Sequence, residues 1–277
     1  MPRPKKRKPA RPQLTARTAD KNVLYEHAVQ AVEPEIDFVD RTYAKLNGRK
    51  ASRLREDFCG TANTSCEWVR RRKTNTAVGV DLDLNVLAWG LNHHVAALPQ
   101  EAQRRIALTR ADVRKPVEAV RGMDCILAMN FSYWIFRERR SLRAYFESVR
   151  ESLAKGGVFF MDAFGGWEAQ KVFPERRRCS GFTYIWEHES FNPISGEIVC
   201  NIHFEFPDKT RLNKAFTYHW RLWTLPEIRE LLLEAGFKAV TVYWEGDDKK
   251  GGGNGIFRPS AKGEVCPSWI VYIAAER

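Results

Sequence analysis

No stretch of the 277-residue chain approaches the roughly 20 consecutive apolar residues of a membrane-spanning helix. The N-terminus likewise lacks the apolar core of a signal peptide. The six cysteines (Cys59, Cys66, Cys125, Cys179, Cys200 and Cys266) form no C-x-x-C pair and no Cys/His spacing of the zinc kind. Several sit inside apolar segments such as I-V-C-N-I, which favours buried reduced thiols, no metal site and a cytoplasmic protein. There is no G-x-G-x-x-G to carry a pyrophosphate, and no internal repeat. Acidic residues are absent from residues 1–18, where Arg3, Lys5, Lys6, Arg7, Lys8, Arg11 and Arg17 supply seven of the net +11 charges. Such a Pro- and Arg/Lys-rich segment cannot bury enough to order itself, so residues 1–19 read as a disordered basic tail. It is either a solubilising tail or a contact for nucleic acid or acidic lipid. P-K-K-R-K would pass for a nuclear import signal in a eukaryote. The remaining chain is only mildly basic.

An apolar fraction of 44% and an aromatic fraction of 12% are ample for a packed core. Leu24, His27, Ala28, Ala31 and Val32 share a helical face, which Ile36, Phe38, Val39 and Tyr43 continue after Pro34. Short apolar runs then alternate with amphipathic segments. Residues 53–57, 76–82, 105–113, 124–131 and 158–164 read as strands, and 64–72, 85–98 and 141–157 as helices. This rhythm predicts a doubly wound α/β fold with a mostly parallel sheet. Beyond Gly166 come three long alternating strands rich in aromatics, 182–191, 197–206 and 214–223. They predict an antiparallel β-meander over residues 180–223, inserted after the fifth strand. Thr224-Leu225-Pro226-Glu227 spells a capping box that opens a last helix, and 240–245 and 269–275 supply closing strands.

In such a sheet ligands bind at the carboxyl ends of the strands where the strand order reverses. The first strand–turn–helix unit is L-R-E-D-F-C-G-T-A. Gly60, Thr61 and Ala62 are small enough for close backbone approach to a ligand, and Glu56 lies at the strand end. Asp81 ends the second strand 21 residues beyond Gly60, where a carboxylate can accept both hydroxyls of a ribose. Asp112 with Val113 closes the third strand, placed to read an adenine edge. Asp83 reads as a helix cap.

The order E-D-F-C-G-T-A, V-G-V-D-L-D, A-D-V, D-C-I-L-A-M-N-F and S-L-A-K-G-G-V-F-F resembles class I S-adenosylmethionine-dependent methyltransferases over residues 20–277. The resemblance implies a Rossmann-like seven-stranded sheet whose last strand runs antiparallel, and S-adenosyl-L-methionine as cofactor. It implies that Glu56 sits by the methionine end, that Gly60 and Ala62 form the turn, and that Asp81 with Leu82 holds the ribose. Asp112 and Val113 would hold the adenine, and Asn130 and Phe131 would border the transferred methyl. Tyr25 with the helices of 20–43 reads either as a lid over the cofactor or as packing against the sheet. Phe58 and Ala62 stand where the usual pattern has its first and third glycines.

For the acceptor side, Asn130, Asp162 and His188 are the candidate catalytic residues. Asp162 faces the cleft from the fifth strand, as a base or as a turn residue. His188, with His203 and His219, lies on the aromatic meander, as a base or as packing. A small-molecule nitrogen, oxygen or carboxylate acceptor is the leading expectation. An RNA or protein substrate guided by the basic tail is the second, and a nicotinamide oxidoreductase or a non-catalytic nucleoside-binding protein the third.

Overall fold

The computed structural model describes residues 14–115, 120–249 and 252–277. Residues 1–13 of the expected disordered tail lie outside these. Residues 14–19 are ordered, contrary to expectation: they form a turn, with Ala19 N–H donating to the Thr15 carbonyl (3.0 Å). The Ala16 N–H also bonds the Thr210 hydroxyl at 2.9 Å, so contact with the aromatic strands overrides the segment's weak composition.

Two helices lead in, α1 (Lys21–Val29) and α2 (Val32–Asn47), the first capped by the Asp20 carboxylate and the second holding Pro34 in its first turn. The alternating part follows: β1 (Arg53–Asp57), α3 (Asn63–Arg71), β2 (Thr76–Asp81), α4 (Leu84–Gly90), α5 (Gln100–Gln103), β3 (Ile106–Arg110), β4 (Met123–Ala128), α6 (Arg139–Ser152) and β5 (Leu153–Gly165). After α4 the helix continues as one π-helical turn, Leu91–Val95. Then come β6 (Pro174–Cys179), β7 (Phe182–Phe191), β8 (Glu197–Glu205), β9 (Arg211–Arg221), α7 (Leu225–Glu234), β10 (Ala239–Asp247), β11 (Gly253–Pro259) and β12 (Trp269–Glu276). Asp83 caps α4, and Thr224 with Glu227 forms the full capping box of α7.

The main sheet has the order β3-β2-β1-β4-β5-β12-β10-β11. β3 through β5 are parallel, whereas β12 runs antiparallel to both β5 and β10. It has eight strands among the described residues, one more than the expected seven. β11 adds an antiparallel edge through Tyr243↔Pro259 and Trp244↔Arg258. The Gly-rich run before it carries none of the alternation that marks a strand. The second sheet also has four strands where three are expected, in the order β6-β7-β8-β9, starting at Pro174 and not near residue 180. β6 reads P-E-R-R-R-C, an edge strand with no apolar face to announce it.

Both faces of the main sheet are covered. On β4, Ile126 and Ala128 face one core with Phe146, Val149, Leu231 and Leu232 of α6 and α7. Cys125 and Leu127 face the other, with Ile36, Val39, Tyr43 and Trp68 of α2 and α3. This two-sided burial is why β4 is apolar nearly throughout. The strand order reverses between β1 and β4, opening a crevice at their carboxyl ends. Among the described residues no helix is long and apolar enough to cross a membrane.

Candidate functional site

The loop leaving β1 has left-handed backbone at alternate positions: φ is 56° at Phe58, 52° at Gly60 and 60° at Ala62. Two residues with a Cβ thus adopt the angles usually given to glycine, at about 1–2 kcal/mol each. The neighbours hold them there. The Phe58 ring packs against Phe136 and Tyr145, centroids 6.0 and 5.8 Å away. Ala62 is fully buried with Cys59 and Leu87, so only its backbone shapes the turn. A Cβ on Gly60 would meet nothing within 4 Å, which leaves open space above the loop.

Ala62 also occupies the N-cap of α3, where it offers no side-chain acceptor. Glu56 takes over that task, accepting from the Ser65 N–H (2.9 Å) and hydroxyl (2.5 Å). Burial pushes its carboxyl up to about 7, against the pull of these bonds. Thr61 donates its hydroxyl to Glu26 of α1 (2.6 Å), and the His94 ring meets the same oxygen at 2.7 Å. Asn63 bonds Gln30 at 2.9 Å and Trp89 bonds Asp20 at 2.7 Å, so α1 is strapped along the loop. Its other side meets the second sheet, with Tyr25 5.1 Å from the Phe216 ring and the Ala28 carbonyl bonded by Arg177.

Asp81 points back at the loop. One carboxylate oxygen accepts from the Gly60 N–H at 2.9 Å and the other from the Asp83 N–H at 3.0 Å. Each keeps lone-pair capacity for further donors. A cavity of about 480 Å³ brings Asp81 and Leu82 together with Phe58, Asp112, Val113 and Phe136. The Arg114 guanidinium beside Asp112 (2.7 Å) holds that carboxyl below the usual carboxylate range. The Val113 carbonyl is turned inward to Arg55 (3.1 Å) and Ser148 (3.3 Å). Glu56, Gly60, Thr61 and Ala62 do not line this cavity; they shape the loop beside it.

At the end of β4, Asn130 and Phe131 are both left-handed, each with φ 57°. The Asp162 carboxylate accepts both of their backbone N–H groups at 2.8 Å, which pins the strained pair. Burial nevertheless pushes Asp162 up to about 7. Asn130, Phe131, Asp162, Tyr25 and His188 all line a second cavity of about 740 Å³, one wall of which is the antiparallel sheet. Burial lowers the His188 imidazole, and its ring sits among Phe164, Phe173 and Trp186. His203 is tied to Glu187 and to the Lys214 N–H, 3.0 Å each, inside the sheet, and His219 is exposed.

Two residues at this site have no counterpart in the sequence-based expectations. Glu35, 5% exposed, lines the larger cavity, and burial pushes it up to about 8. Its signal is in the sequence: it shares the helical stripe of Phe38, Val39, Thr42 and Tyr43, where an acid is out of place. Gly90 is the other; a Cβ there would run into the Thr61 carbonyl, so α4 reaches the loop only through glycine. No metal-holding group of His, Cys, Asp and Glu occurs among the described residues.

No family model matches the chain, and no curated protein matches it in sequence. Solved structures do match. An S-adenosylmethionine-dependent methyltransferase from Clostridium acetobutylicum superposes with a TM-score of 0.68 at 17% identity, over 92% of this chain and 96% of that one. An amino pentose methyltransferase from Micromonospora echinaspora, involved in calicheamicin biosynthesis, gives 0.64 at 16% identity, over 92% and 96%. A sugar N-methyltransferase from Streptoalloteichus gives 0.61 at 15% identity, over 94% and 93%. The chain therefore has the fold of S-adenosylmethionine-dependent methyltransferases along nearly its whole length.

Proposed function

We propose that the chain is an S-adenosylmethionine-dependent methyltransferase acting on a small molecule in the cytoplasm. The observation that carries this reading is Asp81: a carboxylate fixed to the Gly60 N–H, in a cavity at the switch point of a methyltransferase fold. The residues fit a nucleoside. Asp81 has acceptor capacity left for two ribose hydroxyls, open space lies above Gly60, and the Phe58 and Phe136 rings suit the flat face of an adenine. Asp112 is kept ionised beside them to accept from an exocyclic amine. A single close-approach glycine suffices, since no pyrophosphate needs to be accommodated. Neighbours described as acting on an amino pentose and on a sugar nitrogen support a small-molecule acceptor.

When bound, the cofactor supplies a methyl already made electrophilic by its sulfonium. The protein's part is alignment, exclusion of water and, where the acceptor carries one, removal of a proton. The backbone at Asn130 and Phe131, locked by Asp162, lines the larger cavity. Tyr184 and Trp186 of β7 and Tyr218 and Trp220 of β9 line it with aromatic rings.

Calorimetric titration with S-adenosylhomocysteine and, separately, with NAD tests the reading. S-adenosylhomocysteine should bind, and Asp81→Ala should lose most of that affinity. Binding of NAD instead, or an indifferent Asp81→Ala, would sink it.

A further inference from the structure

The larger cavity is acidic in a basic protein. Glu35, Asp162, Glu168, Glu175 and Glu245 line it, and Arg177 is the only lysine or arginine there among the described residues. That Arg177 is already engaged, bonding the Ala28 carbonyl with its guanidinium lying 5.2 Å from the Tyr184 ring centroid. Glu35 and Asp162 are the two acids buried deepest, 5% exposed each, and neither has a salt bridge among the described residues. Burial keeps both well above the usual carboxylate range for want of a counter-charge, and the Asp162 charge adds to the rise at Glu35.

The walls around them are aromatic. Tyr218 stacks on Trp220 with centroids 4.4 Å apart, Trp186 lies 6.1 Å from Trp220, and Phe131 lies 4.8 Å from Phe164. Electron-rich ring faces around buried carboxyls favour a cation. Trp220 also lines the cavity, but its indole N–H is itself inaccessible and, like those of Trp134 and Trp223, has no acceptor among the described residues.

We propose that this chamber selects an aliphatic amine that enters as its ammonium. The Glu35 carboxylate pairs with the ammonium, and Asp162 adds its field. In the transfer, Glu35 takes the ammonium proton and the freed nitrogen lone pair forms the new C–N bond. The S–CH3 bond breaks with its electron pair remaining on sulfur, and the methylated amine leaves. This inference rests on the methyltransferase reading for its chemistry, but its charge preference is measurable separately.

The test uses three probes on one ring skeleton, cyclohexylamine, cyclohexanol and cyclohexanecarboxylate, titrated calorimetrically into the full chain loaded with S-adenosylhomocysteine. Cyclohexylamine should bind at least about tenfold more tightly than the other two, the scale of a charge-assisted hydrogen bond. Glu35→Gln, which keeps the shape, should lose about tenfold for the amine and leave S-adenosylhomocysteine affinity unchanged. Retention of that affinity also shows that the variant folds. Equal binding of the three probes, binding of none, or an amine affinity indifferent to Glu35→Gln overturns the proposal. If S-adenosylhomocysteine itself fails to bind, the methyltransferase reading falls. Preference for cyclohexylamine by the unloaded chain, lost in Glu35→Gln, would then still uphold a cationic-amine site.

Discussion

Replacing Arg55 by methionine tests how the carboxyl end of β1 is held. Arg55 and Asp57 are two residues apart on one face of the strand, 1% and 2% exposed. The guanidinium meets the Asp57 carboxylate twice, at 2.5 and 3.1 Å, and also the Ser152 hydroxyl and the Val113 carbonyl at 3.1 Å each. Tyr145 donates its hydroxyl to the same carboxylate at 2.8 Å. Methionine fills similar space, so the main effect of Arg55→Met is to leave a buried carboxylate with one remaining donor. Breaking a buried pair from one side costs about 3–5 kcal/mol. Against a total stability of about 5–15 kcal/mol, that is a large share. The triple variant Arg55→Met, Asp57→Leu, Tyr145→Phe should behave differently. Ser152 keeps its bond to the Ser148 carbonyl (2.8 Å) and Val113 its bond from the Ser148 hydroxyl (3.3 Å), so no partner is orphaned. Its stability should return to within about 2 kcal/mol of the parent. Urea unfolding, compared at constant slope, measures both. A single variant that costs less than about 1 kcal/mol, or a triple variant as damaged as the single, would refute this account of the pair.

Two further outcomes are expected. Glu35 is raised to about 8 and Asp162 and Glu56 to about 7, so between the ordinary carboxylate range and about pH 8 the folded chain holds protons that the unfolded chain has released. Stability must then fall as pH rises through that window, and Glu35→Gln should flatten the decline in melting temperature between about pH 5 and 8. Gly90→Ala should push α4 off the Thr61 carbonyl or displace the loop, costing about 1–3 kcal/mol on thermal unfolding and weakening S-adenosylhomocysteine. A variant with unchanged melting temperature and affinity would show that the close approach is not needed.

Strands with a strong two-residue rhythm were legible in the sequence: 53–57 and 182–191 coincide with β1 and β7. Of the acids expected at successive strand ends, Asp81 and Asp112 line one cavity, whereas Glu56 turns to Ser65. The two edge strands were not legible. β6 is mostly charge, and β11 opens on Gly253, Asn254 and Gly255, so neither carries the alternation that marks a strand. Glycine spelling was also a poor guide to the loop. Phe58 and Ala62 take the left-handed angles themselves, held by Phe136, Tyr145 and Leu87, contacts with no trace in local sequence. Glu35 was hidden for another reason. It lies 147 residues before the start of β7, and only the fold brings it to the cavity that Asp162 lines.

α1 is fastened at both ends of the crevice: Glu26 to Thr61 and His94 beside the smaller cavity, Tyr25 and Ala28 to the sheet that walls the larger one. One rigid turn of helix therefore enters the free energy of both compartments. A ligand that firms up α1 at one end lowers the ordering cost met by a ligand at the other, and reciprocity makes the gain equal in both directions. The factor by which S-adenosylhomocysteine tightens cyclohexylamine should equal the factor by which cyclohexylamine tightens S-adenosylhomocysteine, and both should shrink together in Glu26→Ala. If that variant left a large mutual gain intact, the communication would have to run through some element other than α1.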